Sequence, residues 1–360
     1  MKNLLRCCLL WLISSNSFLS AFANQPDEEF LSNTILSNHT GHIAFLLPLD
    51  SPSLRQAAFA VQKGFENAAK LKPDFILKII PYPTDGNAPS VLSAYQQAVD
   101  NGAQMVIGPL TRDGVDALVS SHLVSLPTLA LNYPTNKMID WSAQLFFFGI
   151  NIELEAQHVA EIAATSGRHH AVILADRSGI SKRLKAAFAD TWLRINPDFS
   201  AEDMEIGFRE KLSILSGHSH NEDNIIFLAL NASNSEAVRP LIDQSIPVYA
   251  TSLVFGSKDP AYFEGLEAVR FTDMPWLVQP ELALVQYYHS PDMPTDIRLQ
   301  RFYALGIDAF RLTLKILEYH SPETIVLDGV SGFIRLDLPG HFNRRLIPAI
   351  FRQGKVVQDN

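Results

Sequence analysis

The sequence predicts an α/β protein of two doubly wound lobes, each a mostly parallel sheet flanked by helices, facing each other across a cleft. Three observations point there. Short apolar runs alternate with longer stretches whose apolar residues recur at three- and four-residue steps. The short runs are apolar throughout, as strands covered on both faces are. The series also occurs twice, with a break after Phe146-Phe147-Phe148-Gly149.

In the first series His42-Ile43-Ala44-Phe45-Leu46-Leu47 reads as a buried strand, and Leu54, Ala58, Val61, Phe65 and Ala68 mark one face of the helix after it. A strand follows over Phe75 to Tyr82, a helix over Ser90 to Asn101, a strand over Gln104 to Ile107, a helix over Thr111 to His122 and a strand over Pro127 to Leu131. The second series runs helix Glu153 to Ser166, strand Ala171 to Ala175 and helix Ser178 to Ile195, stopped by Asn196-Pro197. It continues with strand Ile225 to Leu230, helix Ser233 to Gln244 and a short strand Pro247 to Thr251. After an irregular, Pro-rich stretch over 275–301, Phe302 to Tyr319 carries Leu305, Ala309, Leu312 and Ile316 on one helical face and must rejoin one lobe. Ile334-Arg335-Leu336-Asp337-Leu338 and Arg345 to Val357 alternate apolar with polar, the pattern of antiparallel strands at an edge or hinge.

Composition supports a folded chain of this size. The 360 residues are 47 % hydrophobic and 19 % charged, enough for a large core and too long for a scaffold that depends on disulfides or metals. Lys plus Arg is 29 against 38 for Asp plus Glu, with no dense basic run, which argues against a nucleic-acid partner. The two cysteines are Cys7 and Cys8. Both lie in Met1 to Ala23, which reads as a secretory signal: Lys2 and Arg6 open it, Leu9 to Phe22 is apolar, and Ala21-Phe22-Ala23 is a small-x-small cleavage pattern. Cleavage before Asn24 leaves 27 basic against 38 acidic residues and no cysteine, so disulfide, thiolate and Cys-ligated metal chemistry are excluded from the mature chain. Residues 24–40 read as a flexible leader, and no later stretch approaches the roughly 20 apolar residues of a membrane span. The expectation is a soluble periplasmic protein.

The motif search is negative. No G-x-S-x-G elbow, H-E-x-x-H pair, Walker A loop or G-x-G-x-x-G fingerprint occurs, and no cofactor is implied. His169-His170 and His218-x-His220 lack a spaced carboxylate partner and read as loop histidines rather than metal ligands.

The strand ends carry the remaining signal, because ligands of open α/β sheets bind beyond the carboxyl ends of the strands. In the first lobe these positions hold Asp50 and Ser51, then Leu110, Thr111 and Arg112, then Asn132 and Tyr133. In the second they hold Asp176 and Arg177, Asn231, Thr251 and Ser252, and Asp273. Each polar residue taken singly is also a good helix cap, and as a set they outline the cleft.

Several segments together carry a family resemblance. They are Ile43-Ala44-Phe45-Leu46-Leu47-Pro48-Leu49, Tyr95-Gln96-Gln97-Ala98-Val99 with Gly102, Ile107-Gly108-Pro109-Leu110-Thr111 and Leu129-Ala130-Leu131-Asn132. Later come Pro247-Val248-Tyr249-Ala250-Thr251-Ser252, Val269-Arg270-Phe271-Thr272-Asp273-Met274-Pro275-Trp276 and Arg301-Phe302-Tyr303-Ala304-Leu305-Gly306-Ile307-Asp308-Ala309. From about 40 to 357 the sequence resembles the LppC/LpoA family of penicillin-binding-protein activators. That resemblance implies a type I periplasmic-binding-protein-like fold with three crossovers, lobe 1 over 41–150 plus 277–322 and lobe 2 over 151–276 plus 323–360. Hinges are then expected near Gly149-Ile150-Asn151, Met274-Pro275-Trp276 and 322–329. It also implies a role in the envelope, stimulating peptidoglycan synthesis by a class A penicillin-binding protein. The sequence departs from the family pattern twice: position 24 is Asn where a lipoprotein carries its lipid-bearing Cys, and about 17 residues lie between the expected cleavage site and the first strand, too few for the family's helical-repeat N-terminal domain.

The leading functional expectation is therefore a non-catalytic periplasmic binding or regulatory protein, with a class A penicillin-binding protein or another envelope protein as partner. The alternative is a solute receptor holding an amino acid or cell-wall fragment in the cleft, where Thr111 and Arg112 would meet a carboxylate. An enzyme would need facing carboxylates, for which Asp50, Asp176 and Asp273 are the candidates. An open, polar cleft favours the receptor; one plugged by Tyr133, Phe148, Tyr249 and Trp276 favours a partner-binding scaffold.

Overall fold

A computed structural model describes residues 41–136, 140–206, 222–318, 325–338 and 340–359. The expected signal and leader, and His218 and His220, lie outside the described residues.

The first series is built as β1 (His42–Phe45), α1 (Arg55–Lys70), β2 (Lys78–Pro81), α2 (Ala88–Asp100), β3 (Ala103–Ile107), α3 (Arg112–Ser121), β4 (Thr128–Ala130) and β5 (Leu145–Phe147). All five strands are parallel, in the order β5-β4-β3-β1-β2, with Ala44 of β1 opposite both Ile80 and Val106. Every residue of β1 is buried, as its unbroken apolar run requires. Helices start where the sequence supplies a side-chain acceptor: Asn87 accepts from the Ser90 amide at α2, and Thr111 from the Gly114 amide at α3.

After Asn151 caps it, α4 (Ile152–Ala164) opens the second series. There follow β6 (His170–Ala175), α5 (Gly179–Ile195), β7 (Ser200–Glu205), β8 (Asn224–Ala229), α6 (Ala232–Val238), β9 (Val248–Ala250), α7 (Pro260–Gly265) and β10 (Val269–Asp273). These strands too are all parallel, ordered β10-β9-β8-β6-β7. The fully buried β8 lies inside the sheet; β7, with mostly exposed residues, forms its edge.

The Pro-rich stretch contains two short helices, α8 (Pro275–Val278) and α9 (Ala283–Tyr287), before the long α10 (Ile297–Glu318) packs along α1. Contact is backbone to backbone. A Cβ on Gly64 would stand 2.0 Å from the Tyr303 carbonyl oxygen, and one on Gly306 would stand 2.1 Å from that of Val61. Phe65 fills the space beside them, edge-on to Phe45 and Phe310.

The tail corrects one expectation. Strands β11 (Val326–Gly329), β12 (Gly332–Leu338) and β13 (His341–Arg345) extend the first sheet, not the second: β13 pairs with β5 through His341 opposite Phe147, and β12 and β11 follow antiparallel. Only β14 (Ile347–Arg352) and β15 (Lys355–Gln358) join the second sheet, antiparallel beside β10. The third crossing therefore falls at Leu346, between β13 and β14, and not at 322–329. The other crossings lie between β5 and α4 and between β10 and α10. The fold is the two-lobed α/β architecture that the sequence predicts, with the three crossovers that the family resemblance implies.

One apolar cluster continues across both halves, including Phe45, Leu131 and Phe148 from the first sheet's side and Leu174, Leu228 and Phe271 from the second's. The two sheets share a core at the crossovers. Among the described residues no helix is long and apolar enough to cross a membrane.

Candidate functional site

Each predicted strand-end residue has a defined place. In the first lobe Asp50 is exposed in its loop, its amide donating to the Thr84 carbonyl oxygen at 2.9 Å. Ser51 is buried, its Oγ 3.3 Å from that of Ser53. Thr111 is committed to structure: its Oγ1 donates to the Gly86 carbonyl oxygen at 2.6 Å while capping α3. Asn132 turns inward, its Nδ2 donating to the Leu110 carbonyl oxygen at 3.0 Å and its Oδ1 accepting from the Tyr133 amide. The Tyr133 hydroxyl donates to the Phe342 carbonyl oxygen on β13 at 2.6 Å. Burial pushes that hydroxyl up to about 12, so it is a neutral donor.

In the second lobe Asp176, Arg177 and Asn231 gather at one corner. Asp176 accepts from the Ser178 amide and from Asn234 Nδ2, Asn231 caps α6, and the exposed Arg177 pairs with Glu205. These contacts hold helix starts in place. Thr251, Ser252 and Asp273 are buried and lie deeper.

Across the lobe boundary the structure assembles a chain of alternating charge that uses residues the strand-end reading did not select. Arg301 of α10 donates from Nε to Asp273 Oδ1 at 3.0 Å and from Nη2 to Oδ2 at 2.6 Å. The same Nη2 reaches the carbonyl oxygens of Ser252 and Phe255. Burial opposes the charge on Arg301; the Asp273 carboxylate outweighs it and holds the guanidinium above its ordinary range. The Ser252 hydroxyl donates to Glu155 Oε2 at 2.6 Å, and Glu155 Oε1 lies 3.7 Å from Arg344 Nη2 on β13. Arg344 Nη1 donates to the Ser331 carbonyl oxygen, and the Ser331 amide donates to Asp308 Oδ2 on α10. Nearer the surface, Arg112 and Arg183 both reach Glu153 Oε1, at 3.4 and 3.3 Å. The arginine expected to meet a ligand anion is thus paired to the opposite lobe.

Tyr133, Phe148, Tyr249 and Trp276 are all buried, and Tyr133, Glu155, His158 and Arg344 surround a void of only about 10 Å³. The crossover region is filled by its own side chains. Among the described residues no group of three or more His, Cys, Asp or Glu could hold a metal ion.

Burial, and then the Arg345 charge, push His158 down to about 4. The unfolded chain protonates it first, at its ordinary 6.5, so the stability this neutral histidine supports is present above 6.5 and is lost as the pH falls towards 4. His158→Gln is expected to flatten that part of the acid limb. Denaturant midpoints at several pH values between about 7 and 4 check this; an unaltered slope in the variant excludes His158 as its source.

Set beside known proteins, the chain matches the family model described as "LppC putative lipoprotein" over residues 29–211 and 202–354. The "Penicillin-binding protein activator LpoA" of Glaesserella parasuis is 26 % identical over 327 residues, covering 88 % of this chain and 55 % of that protein. The chain spans about half the length of the curated relatives it matches. Full-length LpoA from Haemophilus influenzae superposes with a TM-score of 0.74 at 20 % identity, over 89 % of this chain and 59 % of that one. A "putative branched-chain amino acid ABC transporter" from Chromobacterium violaceum gives 0.72 at 30 % identity, over 86 % of this chain and 99 % of the other. With both family-model segments together spanning nearly the whole described chain, the protein belongs to the LppC family.

Proposed function

We propose that this chain is a non-catalytic regulatory protein of the bacterial envelope, which acts in the periplasm by binding a class A penicillin-binding protein and stimulating peptidoglycan synthesis. The observation that carries this reading is the buried charge chain from Asp308 to Asp273, together with the Arg112–Glu153–Arg183 cluster. A receptor that opens and closes around a solute must break and remake its interlobe contacts, whereas a docking scaffold gains from lobes locked in one arrangement. The activators among its relatives supply the partner class. The excess of 38 acidic over 29 basic residues favours a partner with a basic face.

The test is surface plasmon resonance of the chain over an immobilised, purified class A synthase, with glycan polymerisation followed in parallel. Saturable binding is expected, with an association rate that falls as salt rises, and a faster polymerisation rate. No binding at either low or moderate salt overturns the reading.

The Chromobacterium violaceum relative, which matches over almost its whole length, favours a second reading as a solute receptor. That reading requires a thermal shift with an amino acid or muropeptide at millimolar concentration, lost in Arg112→Gln.

A further inference from the structure

A groove runs beside the locked boundary, and none of the strand-end candidates lines it. It encloses about 260 Å³ between one face of α4 and the β12–β13 hairpin, so each lobe supplies one wall. From α4 come Gln157 and His158, and from the hairpin Phe333, Arg335, Arg344 and Arg345. Three guanidinium groups against two carboxylates, Glu161 and Asp337, leave the lining with an excess of positive charge in a chain with nine more acidic than basic residues.

Their partners leave capacity for an anion. Arg335 is in contact with Asp337, but Arg345 lies 3.7 Å from Glu161 with both side chains more than half exposed. Arg344 is buried, with Nη1 and Nη2 engaged and Nε closed off from solvent, so it contributes its charge to the groove and not an open donor. Phe333 is 47 % exposed, an aromatic face left in the wall of a polar groove. A volume slightly below the usual range for drug-sized ligands suits a molecule of amino-acid or monosaccharide size.

We propose that this groove binds a small carboxylate ligand, its carboxylate on Arg345 with the buried Arg344 charge behind it and its apolar flank across Phe333, with Gln157 recognising a neighbouring amide or hydroxyl. Guanidinium is the group best shaped for a carboxylate, and an exposed ring supplies apolar area at little entropic cost. Because the walls belong to different lobes, the ligand adds a tie between them. The inference does not rest on synthase binding, and it places the ligand outside the strand-end cleft.

Two sources share this chemistry, acidic sugars and acylated amino acids, and the experiment separates them. N-acetylmuramic acid and N-acetyl-D-alanine are each titrated against the full chain beside their neutral amides, with histidine ring signals followed by NMR. His158 is surrounded by Arg335, Arg344, Arg345 and Asp337 from the hairpin and by Glu155 and Glu161 from its own helix. An anion seated on the arginines moves its midpoint upward from about 4, which a distant binding event does not. At least one acid is expected to saturate with its amide about tenfold weaker or worse, and the acid that binds identifies the source. Phe333→Ala and Arg345→Gln, both at exposed positions, are expected to weaken binding about tenfold with unchanged unfolding midpoints. The proposal is overturned if neither acid binds, if acid and amide bind equally, or if both variants bind normally. Binding lost in Arg112→Gln but retained in the groove variants also overturns it, by moving the ligand to the cleft.

Discussion

Gly64→Ala and Gly306→Ala each lower the stability of the protein by about 3 kcal/mol, the upper part of the range for overpacking a well-filled core. On a helix interior the same substitution ordinarily stabilises by up to about 1 kcal/mol, because alanine loses less chain entropy than glycine. The sign is reversed here by what the new methyl group meets. At 2.0 Å from the Tyr303 carbonyl oxygen and 2.1 Å from that of Val61, it strikes backbone, which cannot rotate away as a side chain can. Relief requires α1 and α10 to separate along a contact where Val61, Phe65, Ala304, Leu305 and Ile307 are fully buried. Gly179, at the first position of α5, has nothing within 4 Å of its Cβ position and serves as the control. Gly179→Ala is expected to be neutral or slightly stabilising. Urea unfolding of the three variants decides the matter; midpoints for Gly64→Ala and Gly306→Ala at or above the parent's would show that the helices are not held at this distance.

The helix that carries this contact also shows how far the sequence could be read. Leu305, Ala309, Leu312 and Ile316 place α10 on the core because helical periodicity is a local property. The same register puts Arg301 four residues before Leu305 and Asp308 four before Leu312, on the apolar stripe. A charge there signals a buried partner, so both residues were visible as anomalies. Their partners were not, since Asp273 and Ser331 lie 28 and 23 residues away and only the folded chain brings them near. Strands with a complete apolar run, such as β1 and β8, were legible for the same local reason. Strand β7, reading Ser-Ala-Glu-Asp-Met-Glu, was not, because an edge strand facing water needs no apolar pattern. The tail strands were recognisable by alternation, yet alternation does not say which sheet receives them. That choice is made by distant contacts such as His341 paired with Phe147 and the Tyr133 hydroxyl on the Phe342 carbonyl oxygen. The strand-end residues were located by a general rule of α/β sheets, while their roles depended on geometry: Thr111, Asn132 and Asn231 hold the backbone, and Arg112, Ser252 and Asp273 join the contacts between lobes.

The largest electrostatic effect is expected at the Arg301–Asp273 pair. Arg301→Met removes the guanidinium and leaves Asp273, at 0 % exposure, as an uncompensated buried carboxylate, a loss of about 3–5 kcal/mol. The double variant Arg301→Met/Asp273→Leu removes both charges. Replacing a buried ion pair with apolar residues is often neutral, so on charge alone the double variant should regain the parent's stability. It does not regain all of it, because Arg301 Nη2 also serves the Ser252 and Phe255 carbonyl oxygens, at 2.9 and 3.0 Å. Two acceptors deprived of their donor cost about 1–3 kcal/mol each when buried, and both variants bear that cost, while only the single variant also keeps an unpaired Asp273 carboxylate. The ordering parent, double variant, single variant in falling stability is therefore the specific expectation. A double variant as unstable as the single one would assign the role of Arg301 to the two carbonyls, making it a clamp on the 252–255 turn. A single variant as stable as the parent would show that the charge chain does not join the lobes. Hydrogen exchange at the Val254 and Phe255 amides, which donate to the Thr251 and Ser252 carbonyl oxygens in that turn, separates the two roles, because it rises in both variants if the clamp is lost and mainly in the single variant if the charge pair dominates.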